Sequence, residues 1–135
     1  MKKIYMALSV VTIFTFSGCA INGTNVSQNG TVTIELQDSE LLHILWADAY
    51  VIGDNLEIRG VIEQHHHSVD YLRGQVFATI MDADGKELQQ ASSSVVNVPK
   101  DRVGKGTSWA RFTITIPITV SKGMIIKLRS KEVFN

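Results

Sequence analysis

Three consecutive histidines, His65, His66 and His67, form the most conspicuous chemical grouping in the chain. Neutral imidazole is a good ligand for zinc, copper or nickel. In an extended segment His65 and His67 point to the same side, so they can supply two ligands, with Asp70 or Glu63 as a third. A structural metal site needs four well-placed ligands, and a polar loop between strands is the common setting for such a run. The pattern therefore leaves two interpretations open, a metal site and a solvated loop.

Three other groupings look like catalytic or ligand motifs but lack an essential part. Asp82-Ala83-Asp84-Gly85 begins like a calcium loop, but Lys86 and Ala91 occupy positions where that loop needs oxygen ligands. Gly104-Lys105-Gly106-Thr107 lacks the spacing of a phosphate-binding loop. Ser92-Ser93-Ser94 has no glycine elbow and no general base placed beside it. We therefore predict that the protein is not an enzyme and, apart from the metal ion that the histidines leave open, holds no noncovalent cofactor.

The only cysteine, Cys19, ends a short apolar N-terminus. Lys2 and Lys3 precede an uncharged run, Ile4 to Phe16, which is too short to cross about 30 Å of hydrocarbon as a helix and is typical of a secretory signal peptide. Phe16-Ser17-Gly18-Cys19 resembles the bacterial lipobox. The other interpretation is an ordinary signal peptide cleaved elsewhere, which would leave a free thiol.

The lipobox resemblance implies both a modification and a location. Residues 1–18 would be removed, and Cys19 would carry a thioether-linked diacylglycerol and an acyl chain on its freed amine. Two or more chains give stable anchoring, because each buried methylene contributes about 0.8 kcal/mol. Ala20 stands where an aspartate would signal retention in the inner membrane, so the resemblance implies the outer membrane, with the protein facing the periplasm.

Composition limits the partners. The mature chain would lose Lys2 and Lys3 from the 13 Lys and Arg residues and keep all 13 Asp and Glu residues. A slightly acidic chain argues against nucleic acid, which needs a basic face, and against polybasic attraction to anionic lipid. With Cys19 lipidated, no disulfide can form within the chain, so a single domain must be stabilised by its hydrophobic core.

Beyond the anchor, the hydropathy pattern predicts strands. Residues 19–30 are rich in Asn, Gly, Ser and Thr and predict a lipidated flexible tether. Residues 31–135 show period-two alternation between turn signals, which predicts about seven strands in an all-β, antiparallel, immunoglobulin-like β-sandwich. The predicted strands include a hairpin within Leu41–Gln64 and a long strand from Tyr71 to Met81, followed by a tight turn at Asp82-Ala83-Asp84-Gly85.

Three segments carry a second resemblance. Leu56–Ile62, Val76–Lys86 and Trp109–Phe112 are similar in strand and turn pattern to the small bacterial envelope sandwiches of the FxLYD and LEA14-like type. That resemblance implies a non-catalytic accessory or binding module.

Three functions remain as expectations. The first is an interaction or assembly module of the envelope that binds another envelope protein. The second is a periplasmic metal-binding lipoprotein using His65, His67 and Asp70. The third is a carbohydrate-binding or peptidoglycan-binding sandwich, which needs exposed aromatic side chains. Trp46 and Tyr50, just before the hairpin turn, are the aromatic pair that we predict to form a binding face.

Overall fold

Every regular element is a β-strand in residues 23–64, 71–99 and 109–133, the part of the chain that the computed structural model describes. The strands are β1 (Thr24–Asn25), β2 (Val32–Gln37), β3 (Leu42–Ile52), β4 (Asn55–Gln64), β5 (Tyr71–Met81), β6 (Glu87–Ser92), β7 (Val96–Pro99), β8 (Trp109–Ile116) and β9 (Met124–Glu132).

These strands form two sheets that pack face to face. One sheet has the order β1-β3-β4-β8. The other has the order β2-β9-β5-β6, with β7 also paired to β5. All pairs are antiparallel except β2 with β9, which run parallel. The predicted all-β sandwich is confirmed, with nine described strands instead of about seven and with one parallel pair.

Alternation along each strand places apolar side chains between the sheets. On β4, Leu56, Ile58 and Ile62 are fully buried, as the period-two pattern predicted. On β5, Val76 and Ile80 are also fully buried. The largest fully buried side chains come from both sheets: Leu42, Ile44, Leu56, Ile58, Ile62, Val76, Ile80, Ile114, Ile116, Met124, Ile126 and Leu128.

The turn between β5 and β6 agrees with the sequence prediction. Gly85 has a φ of 87°, a conformation that side chains with a Cβ rarely adopt. Asp82 Oδ1 accepts hydrogen bonds from the backbone N–H groups of Asp84 and Lys86, both at 2.9 Å. The carboxylate thus holds the turn closed and leads β6 back along β5.

The segment before residue 31 differs from the predicted tether. Thr24 and Asn25 pair with β3, and Val26 is 5% exposed and belongs to the core. Asn25 Oδ1 accepts a hydrogen bond from the backbone N–H of Gln28 (2.9 Å), and Ser27 Oγ accepts one from the backbone N–H of Ala49 (3.0 Å). The polar composition indicates a loop, but its side chains and one valine attach it to β3, so the domain already includes Gly23–Gly30.

A break in the strand after the β5–β6 turn also raises the strand count. β6 pairs with one half of β5 and β7 with the other half. Between them, Ser93 is buried, and its Oγ accepts a hydrogen bond from the backbone N–H of Val76 at 3.0 Å. The same hydroxyl donates to the carbonyl of Ser94 at 2.8 Å. The Ser93 hydroxyl therefore provides a hydrogen-bond acceptor for the β5 backbone at the point where the edge strand is interrupted.

A polar cluster fixes the corner where the chain crosses from β2 in one sheet to β3 in the other. Ser130, 2% exposed, donates from Oγ to the carbonyl of Leu42 (3.0 Å) and accepts from the backbone N–H of Ser39 (2.9 Å). The Glu132 carboxylate accepts from Ser39 Oγ and from the backbone N–H of Leu41, the latter at 3.0 Å. Burial acts to raise the pKa of Glu132, but these hydrogen bonds outweigh it and the pKa lies below its ordinary value of 4.5.

Glu132→Gln should therefore weaken the pH dependence of stability. Because the folded-state pKa is lowered, the ionised carboxylate stabilises the fold above the ordinary carboxyl pKa, and this contribution is lost as pH falls through the lowered pKa. We expect the variant to be less stable at neutral pH by about 1 kcal/mol or less, since the group is partly solvated. Urea unfolding between about pH 6 and about pH 3 measures the difference. Ser39→Ala removes one hydrogen-bond donor to Glu132 and should also weaken the dependence of stability on pH. If the stability of Glu132→Gln changed with pH in parallel with wild type, Glu132 would not be the source of this dependence.

Candidate functional site

A β-bulge in β3 determines which of its side chains face outward from the four-stranded sheet. Ile44 is opposite Ile62, and the next paired residue, Trp46, is opposite Val61, so Leu45 is the extra residue. The bulge places Leu45 and Trp46 together on the outer side of the sheet. Both are exposed, by 41% and 49% respectively.

The bulge shifts the phase of the alternation. Leu42 and Ile44 point into the core before it, and Ala49 points into the core after it. An unbroken period-two strand continuing from Leu42 and Ile44 would turn Trp46 and Asp48 inward, which would bury a carboxylate among aliphatic side chains. The extra residue avoids that cost and brings Trp46 to the surface.

Gly60 on β4 leaves room for this irregular pairing. A Cβ at Gly60 would lie 2.6 Å from Cζ of Phe112 and would also collide with the carbonyl oxygen of Trp46. Such separations are far below van der Waals contact, so a side chain at Gly60 would push β3 and β8 away from β4, which lies between them. Glycine therefore allows the Trp46 carbonyl and the Phe112 ring to lie close to the β4 backbone at this position.

Five side chains form an exposed apolar groove on this sheet, which we call the Trp face. Val61, 6% exposed, forms its floor and lies opposite both Trp46 on β3 and Arg111 on β8. Trp109 begins β8 in the adjacent row and is 38% exposed. The groove has a volume of about 290 Å³ and is lined by Leu45, Trp46, Val61, Trp109 and Arg111.

Two arginines contact aromatic rings on the outer side of this sheet, one more closely than the other. The guanidinium carbon of Arg111 is 5.8 Å from the ring centroid of Trp109. That of Arg59 is closer to the Tyr50 ring, at 4.5 Å, and Arg59 Nε also forms an ion pair with Glu57 Oε2 at 2.8 Å. Tyr50 is therefore engaged within the sheet by an arginine that is itself held by a carboxylate.

The two aromatic residues singled out from the sequence lie on the same outer face, but the groove joins only one of them to another aromatic. Trp46 and Tyr50 are separated along β3 by Asp48, and the groove brings Trp46 together with Trp109. The sequence did not single out Leu45 or Arg111, and it paired Trp46 with Tyr50 where the structure pairs it with Trp109. Two signals were present: the shift in phase of the apolar residues along β3, and the alternation of β8, which puts Trp109 on the side opposite the buried Phe112.

The remaining predicted site residues, Cys19, His65, His67 and Asp70, lie outside the described residues. Within residues 23–64, 71–99 and 109–133, no group of three or more His, Cys, Asp and Glu side chains is placed to hold a metal ion. The same part of the chain contains no helix that is long and apolar enough to cross a membrane.

Comparison with known proteins finds no match among family models, curated proteins or solved structures.

Removing either tryptophan should leave a fluorophore that water can reach. Trp109→Phe leaves Trp46 as the only tryptophan, because the chain has two. We expect its emission to be red-shifted and strongly quenched by acrylamide in the folded protein, approaching the behaviour of free tryptophan amide. Trp46→Phe provides the matched measurement for Trp109, which should be quenched somewhat less. A blue-shifted, weakly quenched Trp46 would show that the bulge does not turn this side chain outward.

Proposed function

We propose that this chain is a lipid-anchored protein of the bacterial envelope that binds another envelope protein through the Trp face. In this proposal it is a non-catalytic interaction or assembly module, held by lipid on Cys19 at the periplasmic side of the outer membrane. The exposed Leu45, Trp46 and Trp109 side chains on one sheet face are the observation that carries the proposal.

The composition of the Trp face supports a macromolecular partner. Contiguous exposed apolar side chains are uncommon on monomeric proteins and mark interaction sites. Tryptophan and arginine dominate the binding energy of protein interfaces, and here Trp46, Trp109 and Arg111 line one groove. The neighbouring rows supply charged side chains, Asp48 opposite Arg59 and Glu63 opposite Trp109. An apolar centre with a charged rim is the usual arrangement of a protein interface.

A protein fits the groove better than a sugar does. Exposed aromatic rings are also what a carbohydrate site requires, and the two tryptophans meet that condition. Sugar recognition additionally needs several polar groups close to the rings to bond the hydroxyls. The other residues lining the groove are the aliphatic Leu45 and Val61 and a single polar side chain, Arg111.

The ordered N-terminal segment limits how far the domain can move from the anchor. Only residues 20–22 separate Cys19 from Gly23, where the described structure begins. Four Cα–Cα steps span at most about 14 Å. Thr24 pairs with Val51, and Trp46 lies five residues further along β3, or about 17 Å away. An anchor on Cys19 would thus hold the Val51 end of the sandwich near the bilayer and leave the Trp face further out.

Cys19→Ser should abolish membrane attachment. Wild-type protein extracted from membranes should show, by intact mass, loss of residues 1–18 and the added mass of the acyl chains, and it should partition into detergent. The variant should lack this mass increment and partition into the aqueous phase. An unmodified Cys19 thiol in the membrane-extracted wild type would overturn the anchor without bearing on the Trp face.

A photocrosslinker placed at Leu45 should capture one specific envelope protein in intact cells of the native host. Adding Trp46→Ala and Trp109→Ala should reduce the yield of that adduct at least about tenfold, because truncation of each interface hot spot costs about 2 kcal/mol or more. These side chains are exposed, so the fold should be kept, as circular dichroism can verify.

The matched control carries the crosslinker at Thr33, an exposed position on the other sheet. The proposal requires an adduct that depends on the tryptophans and is absent from Thr33. Identical adducts from both positions, no adduct from Leu45, or an adduct only with peptidoglycan would each contradict a protein partner.

A further inference from the structure

The outer face of the five-stranded sheet carries a row of positive charges. Lys127, Arg129 and Lys131 are exposed and alternate along β9 with the buried Leu128 and Ser130. Successive members of the row are two residues apart, so their Cα atoms are separated by about 6.7 Å. We call Lys127, Arg129 and Lys131, with the ring of Phe77 beside them, the β9 cationic face.

The three cations form no ion pair with a carboxylate in the part of the chain that the structure describes. Within the described ranges, no carboxylate oxygen lies within 4.0 Å of the side-chain nitrogens of Lys127, Arg129 or Lys131. Glu35 is paired in register with Lys127 across β2 and β9 without forming such a contact. The charged groups of Arg129 and Lys131 lie 5.7 Å and 6.0 Å from the centroid of the Phe77 ring. The ring thus lies beside both cations at the centre of the face.

A groove rich in polar side chains runs beside the cations. It has a volume of about 480 Å³, and its polar lining consists of Gln37, Thr79, Gln90, the cations Lys127 and Arg129, and one carboxylate, Glu35. Amide and hydroxyl side chains both donate and accept hydrogen bonds, so they suit ligand hydroxyl groups. The cations suit carboxylates, which a guanidinium can bind with two parallel hydrogen bonds.

We propose that the β9 cationic face binds an acidic polysaccharide, a linear sugar chain that carries carboxylate groups. Regularly spaced cations complement regularly spaced carboxylates, and the amide-lined groove complements the sugar hydroxyls between them. The overall charge of the chain is balanced, so the attraction comes from the segregation of charge on this face. This inference is independent of the Trp face, which lies on the other sheet.

Two other polyanions, single-stranded nucleic acid and an anionic bilayer, fit the β9 cationic face less well. Single-stranded nucleic acid binds through stacking on successive aromatic rings, and Phe77 is the only aromatic side chain lining this groove. A bilayer surface is bound by inserting apolar side chains beside the basic ones. Among the residues lining the groove, Leu36 is the only exposed large aliphatic side chain.

Polygalacturonate is a suitable probe, with binding to the full-length chain measured by calorimetry at low salt. We expect Lys127→Gln/Arg129→Gln/Lys131→Gln to weaken binding at least about tenfold, since each substitution removes a screened charge contact. Wild-type affinity should fall steeply between about 50 mM and about 500 mM NaCl, and the variant should show a shallower dependence. A control that removes positive charge elsewhere, Lys86→Gln/Lys122→Gln at two exposed positions outside both faces, should bind as wild type does.

Binding measurements with two other polymers identify the ligand class. Dextran, a neutral glucan, should not bind, and an oligonucleotide of single-stranded DNA should bind more weakly than polygalacturonate. If the triple variant unfolds on heating at a lower temperature than wild type, Arg129→Gln alone provides the comparison. No binding of polygalacturonate to wild type, equal losses in the variant and the control, or tighter binding of DNA would each overturn the proposal.

Discussion

The apolar layer between the two sheets is the constraint on which the rest of the structure depends. The only cysteine is Cys19, so no disulfide within the chain can support the fold. Each fully buried aliphatic side chain contributes about 1.5–3 kcal/mol, and such side chains from β3, β4, β5, β8 and β9 meet in one cluster. Because strand side chains alternate, committing every second residue to this layer also determines which residues form the two outer faces.

Those outer faces differ in chemistry although they share one core. The four-stranded sheet presents Trp46 and Trp109 around a small apolar groove. The five-stranded sheet presents Lys127 and Arg129 beside a larger polar groove. The two faces point away from each other, so occupation of one does not block the other. With a protein on one face and a polysaccharide on the other, as proposed above, the module would bridge two different partners.

Much of the fold was predictable because its signals are local. The alternation on β5 and the turn at Gly85 each depend on a few neighbouring residues, and the structure agrees with both. The N-terminal segment was not predictable in the same way, because Val26 becomes a core residue only when β3 lies beside it. The parallel pairing of β2 with β9 was also hidden, since it joins strands from opposite ends of the domain.

The sequence by itself determined the class of fold, the long central strands and the lack of any recognisable catalytic motif. Tertiary structure decided where the candidate surfaces are. Trp46 faces outward because the partner strand β4 accommodates an extra residue at Leu45, and Trp109 joins it only because both strands flank Val61. Period-two hydropathy is a property of one strand, whereas a bulge, a register and a shared face are properties of strand pairs. Such properties depend on contacts between residues that are distant in the chain.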